Sequence, residues 1–233
     1  MQDCPVWGAF QYSSGKLKGW RHEKLTLALR DHVSADYRVM VDSSKTAWGS
    51  LSIPLRLFRK LGQDFVLVHL VRDPRGVCWS YMRTPWRPNK ASRPLAPKTG
   101  ALRAAIGWIA ANLACELFRW RQPENYVRVR YEDLIQTPAE VIEEILRRVS
   151  LASPISLKPN DAKDNRHQLY GNAMRFRPLS VPDLKEDVAW KTLMPSGYRL
   201  LIRSLCWPLY RRYGYGRNAG NLPQRSPIAS RGR

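Results

Sequence analysis

Acidic residues are missing from two long stretches of this chain. No Asp or Glu occurs from Pro74 through Cys115, and none follows Asp187. Those stretches carry seven and nine Lys or Arg residues, which account for most of the formal net charge of +20. Such blocks point to a polyanionic partner: a nucleotide, a nucleic acid, an acidic glycan or an anionic membrane face. Cysteine is scarce as well. Cys4, Cys78, Cys115 and Cys206 lie far apart and none sits in a CxxC spacing. That excludes a dense disulfide framework and a zinc ribbon, and it predicts buried free thiols in a reducing compartment. No His/Cys/carboxylate cluster suggests a metal. No apolar run reaches the roughly 18 residues that span a bilayer. The opening MQDCPVWGAF has neither a basic n-region nor an apolar h-region, so the expectation is no signal peptide and a cytoplasmic protein.

What is present fits one folded unit. The chain has 233 residues, 44% hydrophobic and 25% charged, with nine Trp and ten Tyr to build a core. Residues 1–20 read as loop and 21–33 as a helix with Leu25, Leu29 and Val33 on one face. RVMVD (38–42) reads as a short buried strand, and 51–61 as a helix with Pro54 in its first turn. FVLVHLV (65–71) is a strand and the stretch beyond Pro74 a helix. Residues 84–98 hold four prolines among basic residues and read as a long loop. In 99–121 an amphipathic helix carries the stripe Leu102, Ile106, Ile109, Leu113, Leu117 and Trp120. YVRVRY (126–131) is a strand. Thr137-Pro138-Ala139-Glu140 combines a capping box with proline at N1 and opens a helix to about Val149. A last helix covers roughly 197–213, interrupted at Pro208.

Strands alternating with helices predict an α/β fold: one domain over 1–215, a parallel central sheet flanked by helices, then a disordered basic tail over 216–233. In such sheets ligands bind beyond the carboxyl ends of the strands. Arg72, Ser43–Lys45 and Tyr131 all fall just past predicted strand ends, so three segments are expected to converge on one crevice. At the first of these, strand 65–71 breaks at Arg72-Asp73-Pro74-Arg75-Gly76 and a helix carrying Ser80 follows. A strand feeding a helix, with an arginine fork and a hydroxyl near the junction, suits a phosphate.

This junction resembles the 3′-phosphate-binding motif of the sulfotransferases that use 3′-phosphoadenosine 5′-phosphosulfate (PAPS). There an arginine ends the strand and a serine lies eight residues on, positions held here by Arg72 and Ser80. Arg130-Tyr131-Glu132-Asp133-Leu134 resembles a second signature of the family, which implies that Tyr131 lies against the adenine. Val41-Asp42-Ser43-Ser44-Lys45 resembles the strand end between donor and acceptor. By that resemblance Ser44 and Lys45 sit at the transfer centre, where a cation stabilises charge on the bridging oxygen. Asp42 is open between acceptor base and structural carboxylate. His167-Gln168-Leu169-Tyr170-Gly171-Asn172-Ala173-Met174-Arg175 is similar to the family's C-terminal H-x-x-x-G-N-x-x-R segment. Gly171 would let backbone approach the nucleotide and Arg175 would add charge at the 3′-phosphate. Trp190 and Tyr213-Gly214-Tyr215 fit the same pattern.

The resemblance runs from about Cys4 to Tyr215 and leans toward the carbohydrate and bacterial-type branch. It implies the P-loop-type sulfotransferase architecture, PAPS as co-substrate, a small-molecule or carbohydrate hydroxyl as acceptor, and no metal. One element of the family has no counterpart: the first strand and the Gly/Ser/Thr-rich loop that grips the 5′-phosphosulfate. Ser13-Ser14-Gly15-Lys16 has glycine and lysine, but no apolar strand precedes it. The expectation is an N-terminally incomplete member that holds the 3′-phosphoadenosine half, with its competence in transfer left open. Two other readings compete. A non-catalytic polyanion or nucleic-acid binder is motivated by the charge but lacks a helix-turn-helix or aromatic-interleaved basic strand; no specific nucleic-acid partner is expected. A nucleotide kinase lacks its GxxxxGK[ST]. The sequence leaves the acceptor and the oligomeric state open.

Overall fold

The computed structural model describes residues 22–33, 39–42, 52–83, 100–149 and 185–216. In chain order these form α1 (His22–Val33), α2 (Ile53–Leu61), β1 (Leu67–Val71), α3 (Pro74–Arg83), α4 (Ala101–Arg121), β2 (Tyr126–Arg130), α5 (Tyr131–Gln136), α6 (Pro138–Arg148), α7 (Ala189–Leu193), α8 (Ser196–Leu205) and α9 (Trp207–Arg212). The fold is α/β and mostly helical. Among the described residues the sheet is one parallel pair, β1 beside β2, with Leu67 opposite Tyr126 and Val71 opposite Arg130.

Buried Asn125 fixes that register. Its side-chain amide donates to the carbonyls of Gln63 (3.2 Å) and Phe65 (2.9 Å), and its own carbonyl accepts from Leu67 N–H (2.8 Å). Because side chains alternate along a strand, fixing the start also fixes which residues end the pair. On β1 the inward face carries His69 and Val71, while Val68 and Leu70 point out. Two clusters make the core. Val71, Cys78, Trp108, Trp190, Met194, Ile202 and Tyr210 gather in one. In the other, Phe118 receives the edges of Phe58 and Phe65 at ring distances of 5.7 and 5.8 Å.

Four expectations are corrected in detail. Of the segment RVMVD, residues 39–42 form no strand among the described residues, and Val41 is exposed. Most of the predicted stripe of α4 is its outer face, with Leu102, Ile106, Leu113, Leu117 and Trp120 exposed; Ile109 alone of the six packs against the core. The buried face is Ala101, Ala104, Ala105, Gly107, Trp108, Asn112, Cys115 and Phe118. Small residues there let α4 approach α3 closely, and packing at short range outweighs the size of the apolar groups left outside. By length and composition α4 could cross a membrane, yet its inner face carries part of this core. Thr137 does not cap α6; its hydroxyl donates to the Asp133 carbonyl (3.3 Å), tying it back to α5, while Pro138 does open the helix. The last helix is two, α8 and α9, with the break at Cys206 and Pro208 in the first turn of the second. Cys78, Cys115 and Cys206 are buried free thiols, and burial pushes each up, to about 12, 11 and 12.

Candidate functional site

The register sets the site. Val71 and Arg130 face each other as the last pair of the sheet, so the residues after them, Arg72 and Tyr131, leave it side by side. The Arg72 guanidinium lies over the Tyr131 ring, 4.6 Å from its centroid. That is a cation–π contact holding the arginine in a half-buried position. Trp108 of α4 donates its indole N–H to the Arg72 carbonyl (3.1 Å) and so anchors the backbone at this point.

The turn that follows is capped from within. Asp73 is the N-cap of α3: its carboxylate accepts the Arg75 N–H (2.8 Å), and its carbonyl accepts Val77 N–H (3.1 Å). It also grips the Arg75 guanidinium at 2.6 and 3.0 Å. Pro74 has no N–H to offer. The first two positions of α3 therefore have no free amide to offer a phosphate. Arg75 is likewise committed, stacked on Trp190 (4.3 Å) and bonded to the Tyr210 hydroxyl (3.0 Å).

Arg72 and Ser80 belong to the same side of α3. Arg72 Nε sits 3.3 Å from where a Cβ on Gly76 would be. Ser80 lies one helical turn beyond Gly76, at the i+4 spacing that stacks residues on one face. Ser80 is exposed. A Cβ at Gly76 would also come within 3.1 Å of two atoms of the Trp190 indole. Trp190 is buried beneath Arg75 and has little room to retreat. Gly76→Ala should therefore destabilise by about 1–2 kcal/mol in urea unfolding, because the clash exceeds the ~1 kcal/mol that alanine gains in a helix. A more stable variant would show that Trp190 and Arg72 move freely.

Two acidic residues complete the surroundings. Arg72 donates to the Asp187 carbonyl (2.9 Å) and pairs with its carboxylate (3.2 Å). Desolvation pushes the Asp187 carboxyl up, but Arg72, the Ala189 N–H and the nearby Arg83 outweigh it and hold it below its ordinary value. Glu132 ties the strand ends together. One oxygen accepts Asp73 N–H (3.2 Å) and the other the Tyr215 hydroxyl (2.7 Å), which also reaches the Val71 carbonyl (3.3 Å). Burial and Glu132 push the Tyr215 phenol far up, so it remains a donor. Arg130 stacks on the same Tyr215 ring at 4.7 Å.

Of the residues expected to form the site, Arg72 and Tyr131 are in contact and Ser80 is on the adjoining helix face. Ser44, Lys45, Gly171 and Arg175 lie outside the described residues. Asp42 is exposed and accepts from the Thr26 hydroxyl (3.4 Å). Asp187 and Glu132 had not been singled out. Glu132 has a signal, being next to Tyr131 at a strand end; Asp187 has none, since it reaches Arg72 across 115 residues. No group of His, Cys, Asp and Glu suited to a metal occurs among the described residues.

A family model described as the sulfotransferase family matches residues 16–154, more than half of the chain. No curated protein matches the sequence, and no solved structure does.

Proposed function

Since this chain belongs to the sulfotransferase family, we propose that it transfers a sulfuryl group from PAPS to the hydroxyl of a small-molecule or carbohydrate acceptor. One observation carries the donor assignment: Arg72 and Tyr131 leave adjacent strand ends in contact, with Ser80 on the neighbouring helix face. An arginine fork suits the doubly charged 3′-phosphate, and a hydroxyl adds a neutral donor to it. The Tyr131 ring offers an aromatic surface for the adenine. In this reading Arg175 supplies further charge at the 3′-phosphate and Gly171 lets backbone come close. In the transfer step the bond from sulfur to the bridging phosphate oxygen breaks and the bond from the acceptor oxygen to sulfur forms. The acceptor proton leaves to a base, and 3′-phosphoadenosine 5′-phosphate (PAP) departs. Lys45, with Ser44 beside it, would stabilise the charge that builds on the bridging oxygen. Incubation with PAPS and a panel of hydroxyl acceptors, following PAP release, tests the reaction. Release with one acceptor class supports it; intact PAPS with every class, or phosphoryl transfer from ATP, contradicts it.

Asp187 bears on donor binding. Its carboxylate holds the guanidinium that the phosphate needs and repels the phosphate itself. Both charges are partly exposed, so the competition is modest. Asp187→Asn should raise PAP affinity roughly fivefold, in keeping with an exposed ion pair. A fall in affinity would instead make Asp187 a residue that orients Arg72.

A further inference from the structure

The C-terminal helices present a surface that carries none of the residues assigned above to donor binding or transfer. The inward side of α8 and α9 is fully engaged, with Ile202, Cys206, Leu209 and Tyr210 buried in the core. The outward side is apolar too. Leu200, Leu201 and Leu205 are 66%, 42% and 37% exposed; Leu201 and Leu205 stack at the i, i+4 spacing, and Leu200 widens the strip on one side. Trp207, 38% exposed, borders them. Arg203 and Arg211 flank that ring, their guanidinium carbons 5.4 and 5.6 Å from its centroid. Neighbouring Arg212 pairs with Glu116 (2.9 Å), whereas Arg203 and Arg211 are in no ion pair among the described residues.

A helix apolar on both sides, with its outer leucines bordered by arginine and tryptophan, has the composition of an interfacial membrane helix. We propose that the outer face of α8–α9 docks on an anionic lipid surface. The leucines enter the headgroup–acyl boundary, Trp207 sits at headgroup depth, and Arg203 and Arg211 meet lipid phosphates. Charge complementarity selects an anionic bilayer over a neutral one. The leucines at the centre select it over a nucleic acid, whose phosphates reward the arginines but give exposed leucines nothing to enter.

The test is co-sedimentation of the full chain with vesicles of phosphatidylserine in phosphatidylcholine, against phosphatidylcholine alone. Binding should require phosphatidylserine. Leu200→Ser with Leu201→Ser keeps every charge and should weaken binding roughly tenfold or more. Arg203→Gln with Arg211→Gln keeps the leucines and should weaken it by roughly tenfold as well. All four side chains point outward, so thermal unfolding and PAP binding should be unchanged in both variants. No sedimentation with either vesicle overturns the proposal. So does wild-type affinity in the double serine variant with equal displacement by duplex DNA, which would make the surface a simple polyanion patch.

Discussion

Arg72→Ala lowers the affinity of the chain for PAP by about a hundredfold. The magnitude follows from what the side chain offers. A guanidinium gives a phosphate two parallel charge-assisted hydrogen bonds, and bonds of that kind contribute about 1.5–3 kcal/mol, where 1.4 kcal/mol is tenfold. Arg72→Lys keeps the charge but not the fork and should fall between. Ser80→Ala removes one neutral bond and should cost about threefold to tenfold. Stability separates this from misfolding. Arg72 lies at the edge of the core and its ion pair with Asp187 is partly exposed. Its loss should therefore move the unfolding free energy by no more than about 1 kcal/mol. A large drop in stability with unchanged PAP affinity would make Arg72 a structural residue.

Mild acid should destabilise the fold through His69. This histidine lies inside, between the sheet and α4. The tautomer is set by its neighbours. Asn112 donates its amide to the Trp108 carbonyl (2.7 Å), which leaves its oxygen to accept from His69 Nε2–H (2.9 Å). His69 Nδ1 is then the acceptor of the Tyr126 hydroxyl (2.6 Å). Both ring nitrogens are satisfied in the neutral form, and protonation at Nδ1 would bury a charge and force the Tyr126 hydroxyl to turn its own proton away. Desolvation by burial lowers the His69 pKa to about 4 from the ordinary 6.5, despite the Asn112 bond that raises it. Between those values the unfolded chain binds more protons than the native one, so stability falls as pH falls. It is full above about pH 6.5 and is lost progressively toward pH 4, in total by about 3 kcal/mol. Asp187 and Glu116, whose carboxyls lie below their ordinary values, lose their contributions only at lower pH. Urea unfolding at pH 7 and pH 5 therefore isolates the histidine. In His69→Phe, which is less stable at neutral pH because Asn112 and Tyr126 lose a partner, this slope should vanish. The same slope in the variant would assign the acid sensitivity elsewhere.

The junctions were legible because they are local. A β-branched run that stops at Arg72-Asp73-Pro74 can only be a strand ending before a helix, and YVRVR before Tyr131 says the same. Two parallel strands in register then bring the residues after them together, so the Arg72–Tyr131 contact was readable as a convergence of strand ends. What escaped depends on distant partners. Asp187 meets Arg72 only through the packing of the C-terminal helices, and nothing in its own neighbourhood marks it. The orientation of α4 escaped for another reason: both of its faces are apolar, and periodicity selects the one with larger side chains while close packing buries the one with smaller. Nothing in the sequence marks His69, because its network of Tyr126 and Asn112 comes from two other elements. Asp73 carries a detail that the strand–helix junction does not display in sequence. The turn does begin a helix, but its own carboxylate takes the amide that a phosphate would otherwise use.

The central claim is that Arg72 reads the 3′-phosphate of the donor, and calorimetry with two ligands addresses it directly. PAP and 5′-adenosine monophosphate differ only in that phosphate. The wild-type chain should bind PAP more tightly by at least roughly a hundredfold, and Arg72→Ala should lose most of that preference, keeping only what Ser80 and Arg175 supply. Equal affinity of the wild type for both ligands, or an undiminished preference for PAP in Arg72→Ala, would contradict it.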